Sequence, residues 1–320
     1  LRWLVMSKPG QVLRAAAAQI APVYLQRAAT VEKALSWCAR AADQGAQLLA
    51  FPEALVPGYP TWLARTHGAA FEDPLQKEIH ARYLDQAVEL PGAELTALQQ
   101  AAGDHRMHLV LGVVERVRGT LYCTALSVRP DGEWTAHRKL MPTYEERLCW
   151  GVGDGHGLRV HDVGGFKVGA LNCWENWMPA ARLALYAQGL EVHVSLWPGS
   201  PQNTTDISRF TAREGRVFVV AASAVLAAED LPADMPAREQ LVDSAQHGFL
   251  HTGGSRILGP DGNEIATADQ PEEQLLVADL DRGLLLRERQ NFDPAGHYHR
   301  SDIFEFKVDR RRPGPAEFLD

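Results

Sequence analysis

The 320 residues are 46% hydrophobic and 22% charged, which fits a globular protein with a large core and excludes a disordered chain. A net charge of -8 with no basic stripe argues against a nucleic-acid partner, the run Arg310-Arg311-Arg312 reading as a solvated end. No stretch approaches ~18 continuous apolar residues, so neither a membrane span nor a membrane partner is expected.

Cys38, Cys123, Cys149 and Cys173 lack the C-x-x-C spacing of zinc or redox sites, so the expected setting is a reduced, cytoplasmic one. Leu1–Met6 is too short for a secretory apolar region. Met6 is a candidate natural start, with residues 1–5 then an upstream addition. Residues 1–11 are expected as an unstructured or added leader, residues 301–320 as a tail, and residues 1–320 as one domain.

In chain order, Val12–Ile20 reads as a strand, Thr30–Gln44 as an amphipathic helix and Gln47–Phe51 as a buried strand. Leu75–Leu90 and Leu95–Asp104 read as helices separated by Pro91-Gly92. Met107–Val117 and Leu121–Arg129 read as strands joined at Gly119-Thr120, and Pro130-Asp-Gly132 turns into a further strand that ends near Lys139. Phe166–Leu171 is strand-like, and Trp177, Met178, Ala181 and Leu185 recur with helical spacing through Gln188. A strand at Val192–Trp197, a helix near Asp206–Gly215 and a strand at Val217–Ala222 follow. Leu226–Ser244, rich in Pro, Asp and Glu, reads as a mobile surface loop. Strands at Ser255–Leu258 and Glu264–Thr267 flank a second Pro-Asp-Gly turn. Such alternation with hairpins predicts an α/β fold of two stacked sheets covered by helices on both sides.

Three polar residues stand where strands run out. Glu53 follows Leu48-Leu-Ala-Phe-Pro52, Lys139 closes the third hairpin strand, and Cys173 sits between a buried strand and a helix. Orphan N–H groups near a helix start favour the thiolate, the nucleophilic form of cysteine. Taken singly, Cys173 also reads as an inert buried thiol, Glu53 as a cap or surface carboxylate, and Lys139 as a solvated charge. Taken together they make an acyl-transfer constellation: the carboxylate takes protons, the ammonium steadies negative charge, and sulfur makes the covalent bond. The backbone N–H of Trp174 is placed to bind charge on the reacting atom. Of Glu145 and Glu146, adjacent in sequence, only one can face inward. Glu175 reads as structural, paired with Arg147 or another cation. Tyr59, Trp62, Tyr144 and Trp197 lie beside these stretches; Tyr59 and Trp197 are the stronger candidates for an apolar pocket wall, with the Trp174 indole open between packing and pocket. Gly151-Val-Gly-Asp-Gly-His-Gly157 lacks the lysine and context of a phosphate loop and reads as plain loop. His247 and His251 have i, i+4 spacing but no third ligand, so neither a metal nor another cofactor is expected.

The glutamate after Phe-Pro, the lysine before Leu-x-Pro and the cysteine before Trp-Glu resemble the motifs of the carbon–nitrogen hydrolase superfamily, over about Val12 to Arg300. The Cys-Trp-Glu form resembles its nitrilase branch. That resemblance implies a four-layer α-β-β-α sandwich with two stacked mixed sheets and a Glu53–Lys139–Cys173 triad. Its Pro-Thr-x-x-Glu-Arg pattern falls on Pro142, Thr143, Glu146 and Arg147, which implies Glu146 as a second catalytic carboxylate and Glu145 as its exposed neighbour. It also implies hydrolysis of a small organic nitrile to a carboxylic acid and ammonia through a thioimidate and a thioester. The related readings are an amidase or carbamoylase, a cyanide dihydratase, and an inert scaffold of the same fold. A homodimer or higher homo-oligomer is implied, with the helices Trp177–Gln188 and Asp206–Gly215 buried between subunits.

Overall fold

Alternation along each strand sorts the hydrophobic residues of this chain into separate layers, and the computed structural model, which describes residues 10–314 and 316, shows where each layer lies. The expected leader falls almost wholly outside the described residues, although Gln11 is described and its carbonyl accepts from Arg282 N at 3.0 Å. The elements run β1 (Val12–Gln19), α1 (Arg27–Asp43), β2 (Leu48–Ala50), α2 (Pro74–Asp85), α3 (Ala93–Asp104), β3 (His108–Val117), β4 (Thr120–Val128) and β5 (Trp134–Arg138). Then come β6 (His161–Val163), β7 (Phe166–Asn172), α4 (Pro179–Tyr186), β8 (Val192–Trp197), α5 (Pro201–Gly215), β9 (Phe218–Ser223) and β10 (Val225–Ala227). The chain closes with α6 (Arg238–Asp243), β11 (Phe249–Thr252), β12 (Arg256–Leu258), β13 (Glu264–Thr267), β14 (Gln274–Asp281) and α7 (Arg282–Glu288).

Two six-stranded mixed sheets result, in the orders β14-β1-β2-β3-β4-β5 and β13-β12-β9-β8-β7-β6, with β10 and β11 as a separate pair. Parallel pairing links β1, β2 and β3 in the first sheet and β7, β8 and β9 in the second. On β1, Leu13, Ala15 and Ala17 face Phe166, Val194 and Val220 of the other sheet, while Ala16 and Ala18 pack under Val31, Trp37 and Cys38 of α1. On β9, Val220 and Ala222 look into the sandwich, whereas Val219 and Ala221 pack with Leu185 and Ile207 of α4 and α5. The period-two side-chain direction of a strand thus builds four layers, helix, sheet, sheet and helix.

Several elements differ from the sequence reading: α5 starts at Pro201 and not near Asp206, and α1 at Arg27 and not at Thr30. The helix expected from Trp177 begins at Pro179, because residues 173–177 form a 3-10 turn and Pro179 takes the first helical position. The helix expected through Leu90 ends at Asp85, and Val88 instead bridges to Glu115. The expected mobile loop Leu226–Ser244 contains part of β10, a 3-10 turn and α6, with Leu226, Leu231, Met235 and Leu241 buried beside Trp62 and Tyr83. Burial of those four apolar residues outweighs the polar composition around them.

Candidate active site

β2 and β5 run in the same sense, since β3 is parallel to β2 and two antiparallel steps lead from β3 to β5. Their chain-forward ends therefore lie on one rim of the sandwich. Glu53 comes off β2, Lys139 off β5, and β7 of the facing sheet delivers Cys173 to the same rim. Gly112 on β3 makes this approach possible: a Cβ there would lie 2.2 Å from Pro52 O and 2.5 Å from Glu53 Cα. Glu53 N–H in turn donates to Trp197 O at 3.3 Å, joining the two sheets beside the site.

Lys139 Nζ donates to Glu53 Oε1 at 2.9 Å and to Glu146 Oε2 at 2.7 Å, with the three side chains at most 1% exposed. Carboxylate oxygens of Glu53 and Glu146 and the sulfur of Cys173 all lie within 4.8 Å of one another. Glu146 faces inward because it closes a capping box: its Oε2 accepts from Thr143 N at 2.6 Å, and its Oε1 accepts from Tyr59 OH at 2.8 Å. Glu145, its neighbour, instead lines an open groove of about 750 Å³ on the outer side of the turn. Those three donors could reach one metal ion, but the Lys139 ammonium already bonds both carboxylates, and a second cation would meet it at close range.

Cys173 has φ +43°, a left-handed conformation that costs energy for a residue with a Cβ. The surrounding bonds hold it there. Cys173 O accepts from Asn176 Nδ2 at 2.8 Å, and Asn176 Oδ1 is bound by His193 Nε2 at 2.6 Å and Ser195 Oγ at 3.0 Å.

The electrostatics correct one expectation. Burial, then the neighbouring Glu53 charge, pushes the Cys173 thiol well above its ordinary range, although Lys139 and the Trp174 N–H pull it down. The first α-helix after Cys173 starts six residues later, at Pro179, so the only helix-start help comes from the 3-10 turn that Cys173 opens, whose Trp174 N–H lowers the thiol less than burial raises it. Burial also raises Glu53 to about 7 against the opposing pull of Lys139, with Glu146 adding to the rise. Burial alone would lower Lys139, but Glu53, Cys173 and Glu146 outweigh it and the ammonium stays charged. The arrangement is a protonated thiol beside a carboxylate of near-neutral pKa, suited to proton transfer on attack.

Of the expected pocket residues, Tyr59 touches the site through Glu146, with its ring edge-on to Trp150 and His251 at 5.7 and 5.5 Å. Trp197 is buried beside Cys173, and its Nε1 has no partner among the described residues. Trp174 divides in two: its backbone N–H lowers the Cys173 thiol, while its indole is 45% exposed and stacks on Trp177 at 5.9 Å. Glu175 pairs with His137 at 2.9 Å, not with Arg147, whose Nε donates to Pro142 O. The Gly151–Gly157 segment is loop only as far as Asp154, with a 3-10 turn over Gly155–Gly157, and Gly153 N–H donates to Lys139 O at 2.9 Å. His247 and His251 share no helix: His247 lies in a turn and His251 on β11.

Cys123 and Trp150 escaped the sequence reading. Cys123 Sγ lies 3.4 Å from Glu53 Oε1, and the Trp150 ring centroid lies 5.6 Å from Lys139 Nζ. Strand register was the available signal for Cys123: Thr124 pairs with Arg138, so Cys123 neighbours Lys139.

Residues 14–290 match the Carbon-nitrogen hydrolase family. The chain is 39% identical over 296 residues to an aliphatic nitrilase of Sinorhizobium fredii (strain HH103), covering 92% of this chain and 95% of that one. It is 35% identical over 311 residues to Nitrilase 2 of Arabidopsis thaliana, covering 96% and 92%. Among solved structures, a carbon-nitrogen hydrolase from Helicobacter pylori G27 superimposes with a TM-score of 0.68 at 19% identity, over 91% of this chain and 97% of that one, a likeness of fold. With its Glu, Lys and Cys gathered on one rim of the sandwich, the chain belongs to the carbon–nitrogen hydrolase family, in its nitrilase branch.

Proposed function

We propose that this protein hydrolyses a small organic nitrile to a carboxylic acid and ammonia, with Cys173 as nucleophile, Glu53 as general base, and Lys139 and Glu146 as its charged partners. The observation that carries the residue roles is Lys139 Nζ held between Glu53 and Glu146, with the Cys173 sulfur within 4.8 Å of both carboxylates. Cys173 sulfur attacks the nitrile carbon while its proton passes to Glu53 and on to nitrogen, giving a thioimidate. A first water, deprotonated by Glu53, adds to that carbon; nitrogen takes that proton from Glu53 and a second from the new hydroxyl, and leaves as ammonia as the thioester carbonyl forms. The resulting thioester is cleaved by a second water, which frees the acid and restores the thiol. Preorganised charge in a site closed to solvent supplies the stabilisation of each transition state. The Trp174 N–H favours the charged form of the Cys173 sulfur, which supports a role in binding charge near the reacting atom. Tyr59 and Trp197 supply the wall, and the whole chain acts as one catalytic domain.

Ammonia release from aliphatic, arylacetic and aromatic nitriles, with cyanide and the matching amides alongside, tests the reading. Acid and ammonia from a nitrile, with the amide turned over at least tenfold more slowly, is the expected result. Turnover of amides with none of nitriles would overturn it.

We propose further that the protein is at least a homodimer, through the face formed by α4, the turn before it and α5, where Trp177 and Phe210 are 42% and 50% exposed. A sedimentation mass of one chain at micromolar concentration would refute this. Among the described residues no helix is long and apolar enough to cross a membrane. All four cysteines are unpaired, which supports a reducing compartment such as the cytoplasm.

A further inference from the structure

Glu175 is a fully buried carboxylate that touches neither Lys139 nor Cys173, yet it binds the backbone beside each. Its Oε2 accepts from the N–H of Asn172, the residue before Cys173, at 3.0 Å. Its Oε1 accepts from the N–H of Leu140, the residue after Lys139, at 2.8 Å. His137 Nε2 stands 2.9 Å from both oxygens. Asn172 ends β7 of one sheet, and Leu140 follows β5 of the other. One side chain therefore joins the two sheets at the rim where the nucleophile meets its partners.

We propose that Glu175 is a positioning residue for the nitrile hydrolysis proposed above, fixing Cys173 on one sheet against Lys139 and Glu53 on the other. The chemistry demands a carboxylate at this position. Two backbone donors approach from different sides, one to each oxygen, and only an ionised carboxylate presents acceptors on both. Because that carboxylate donates nothing, the shared hydrogen rests on His137 Nε2, and Nδ1 is left without a partner among the described residues. Burial alone would raise Glu175, but His137 and the two backbone N–H groups bring it below the ordinary range, so the anion persists. Glutamine has one acceptor and would set its NH₂ against a backbone N–H. Aspartate is one methylene shorter and spans only one of the two. Misplacement of reacting groups by ~1 Å costs on the order of 100-fold in rate, so loss of this link acts on turnover before it acts on binding.

The test compares the parent with Glu175→Gln on a nitrile that the parent hydrolyses, and in parallel follows alkylation of Cys173 by iodoacetamide against pH. For folded E175Q the expected result is kcat lowered about 100-fold with KM within about threefold. Its alkylation profile should move to higher pH, because a thiol displaced from Glu53 must ionise unaided. A merely structural role would leave the pH profile of the folded fraction unmoved. Parent-like kcat and an unmoved alkylation profile overturn the proposal. If the parent hydrolyses no nitrile, the functional reading fails, while the alkylation profile still decides the positioning role. If E175Q does not fold, His137→Ala and His137→Gln decide: H137A should lose about tenfold in kcat at unchanged KM, and H137Q, which restores an N–H donor, should return within threefold. H137A equal to the parent overturns the proposal.

Discussion

Cys123 Sγ approaches Glu53 Oε1 at 3.4 Å, so the oxygen that receives the Lys139 ammonium also receives a thiol hydrogen. Glu53 Oε2 is then the oxygen with no partner among the described residues, and it is the acceptor open to the proton of Cys173. A donor to the charged carboxylate favours ionisation, and Cys123 lowers Glu53 in this way. Cys123→Ala removes the donor and should move the acid limb of kcat/KM to higher pH, whereas Cys123→Ser keeps a donor and should hold it near the parent. Coincident profiles for the alanine variant and the parent would show that the thiol does not tune the base.

Cys173→Ala should abolish nitrile turnover while the melting temperature stays within about 2 °C of the parent, the shift that ~1 kcal/mol brings in a domain of this length. Chromatographic assay and a thermal melt measure the two effects separately. Activity of the variant within tenfold of the parent would remove the covalent mechanism.

Much of this site was legible because each polar residue ends an apolar run: Phe51-Pro-Glu53, the strand before Lys139, and Leu171-Asn-Cys173. A strand fixes where its next residue emerges, so local pattern put the three in view, but singly each also read as inert, and only the resemblance to the carbon–nitrogen hydrolases turned those readings and picked Glu146. Its electrostatics were not legible. The thiol was read against a helix start, whereas burial under Trp197 and proximity to Glu53 dominate, and both arise from chain segments distant in sequence. Glu175 misled for the same reason, since its partner His137 stands 38 residues away on the facing sheet. The stretch 226–244 looked like loop because Pro, Asp and Glu punctuate it, yet Leu231, Met235 and Leu241 are spaced to bury against Trp62 and Tyr83.

The pH dependence of activity should follow Glu53. Its carboxyl is pushed up to about 7, so kcat/KM should rise with pH through that value. The thiol is held well above its ordinary range, so the rise should not wait for cysteine ionisation. A limb centred instead near or above the ordinary ~8.5 of a free thiol would exclude Glu53 as the base.

Stability should respond differently. Burial pushes His108, His193 and His251 down to about 3, while an unfolded imidazole titrates near ~6.5. Below that value the unfolded chain binds protons that the folded chain does not, so stability falls as pH drops from ~6.5 toward 3. Glu53 acts in the opposite sense, its raised pKa adding stability as pH falls from about 7, but it is one group against three. Denaturant midpoints at successive pH values should decline steadily below ~6.5. A midpoint unchanged down to pH 4 would mean that these imidazoles charge in the folded protein.

Glu146 should influence which product leaves. After water adds to the thioimidate, one carbon carries sulfur, oxygen and nitrogen. Loss of nitrogen leads through the thioester to acid, whereas loss of sulfur releases the amide. Nitrogen departs readily only as neutral ammonia from a protonated amine, so the carboxylates must favour positive charge there against the Lys139 ammonium. Glu146→Gln keeps the shape of the side chain. Its amide oxygen can replace Oε2 toward Thr143 N–H and Lys139, and Tyr59 OH can turn to accept from the new NH₂, so the fold should persist. The negative charge is lost, however, and with it an influence that raises Glu53, which then holds a transferable proton less well. A difference of ~1.4 kcal/mol between the two exits changes the product ratio tenfold. One altered hydrogen bond to a charged group is worth about 1.5–3 kcal/mol, enough to shift that ratio visibly. E146Q should therefore turn over more slowly and give a larger amide fraction, measured by chromatography of acid and amide from a single nitrile. Parent-like rate and product ratio would place Glu146 outside the chemistry, despite its 2.7 Å bond to Lys139.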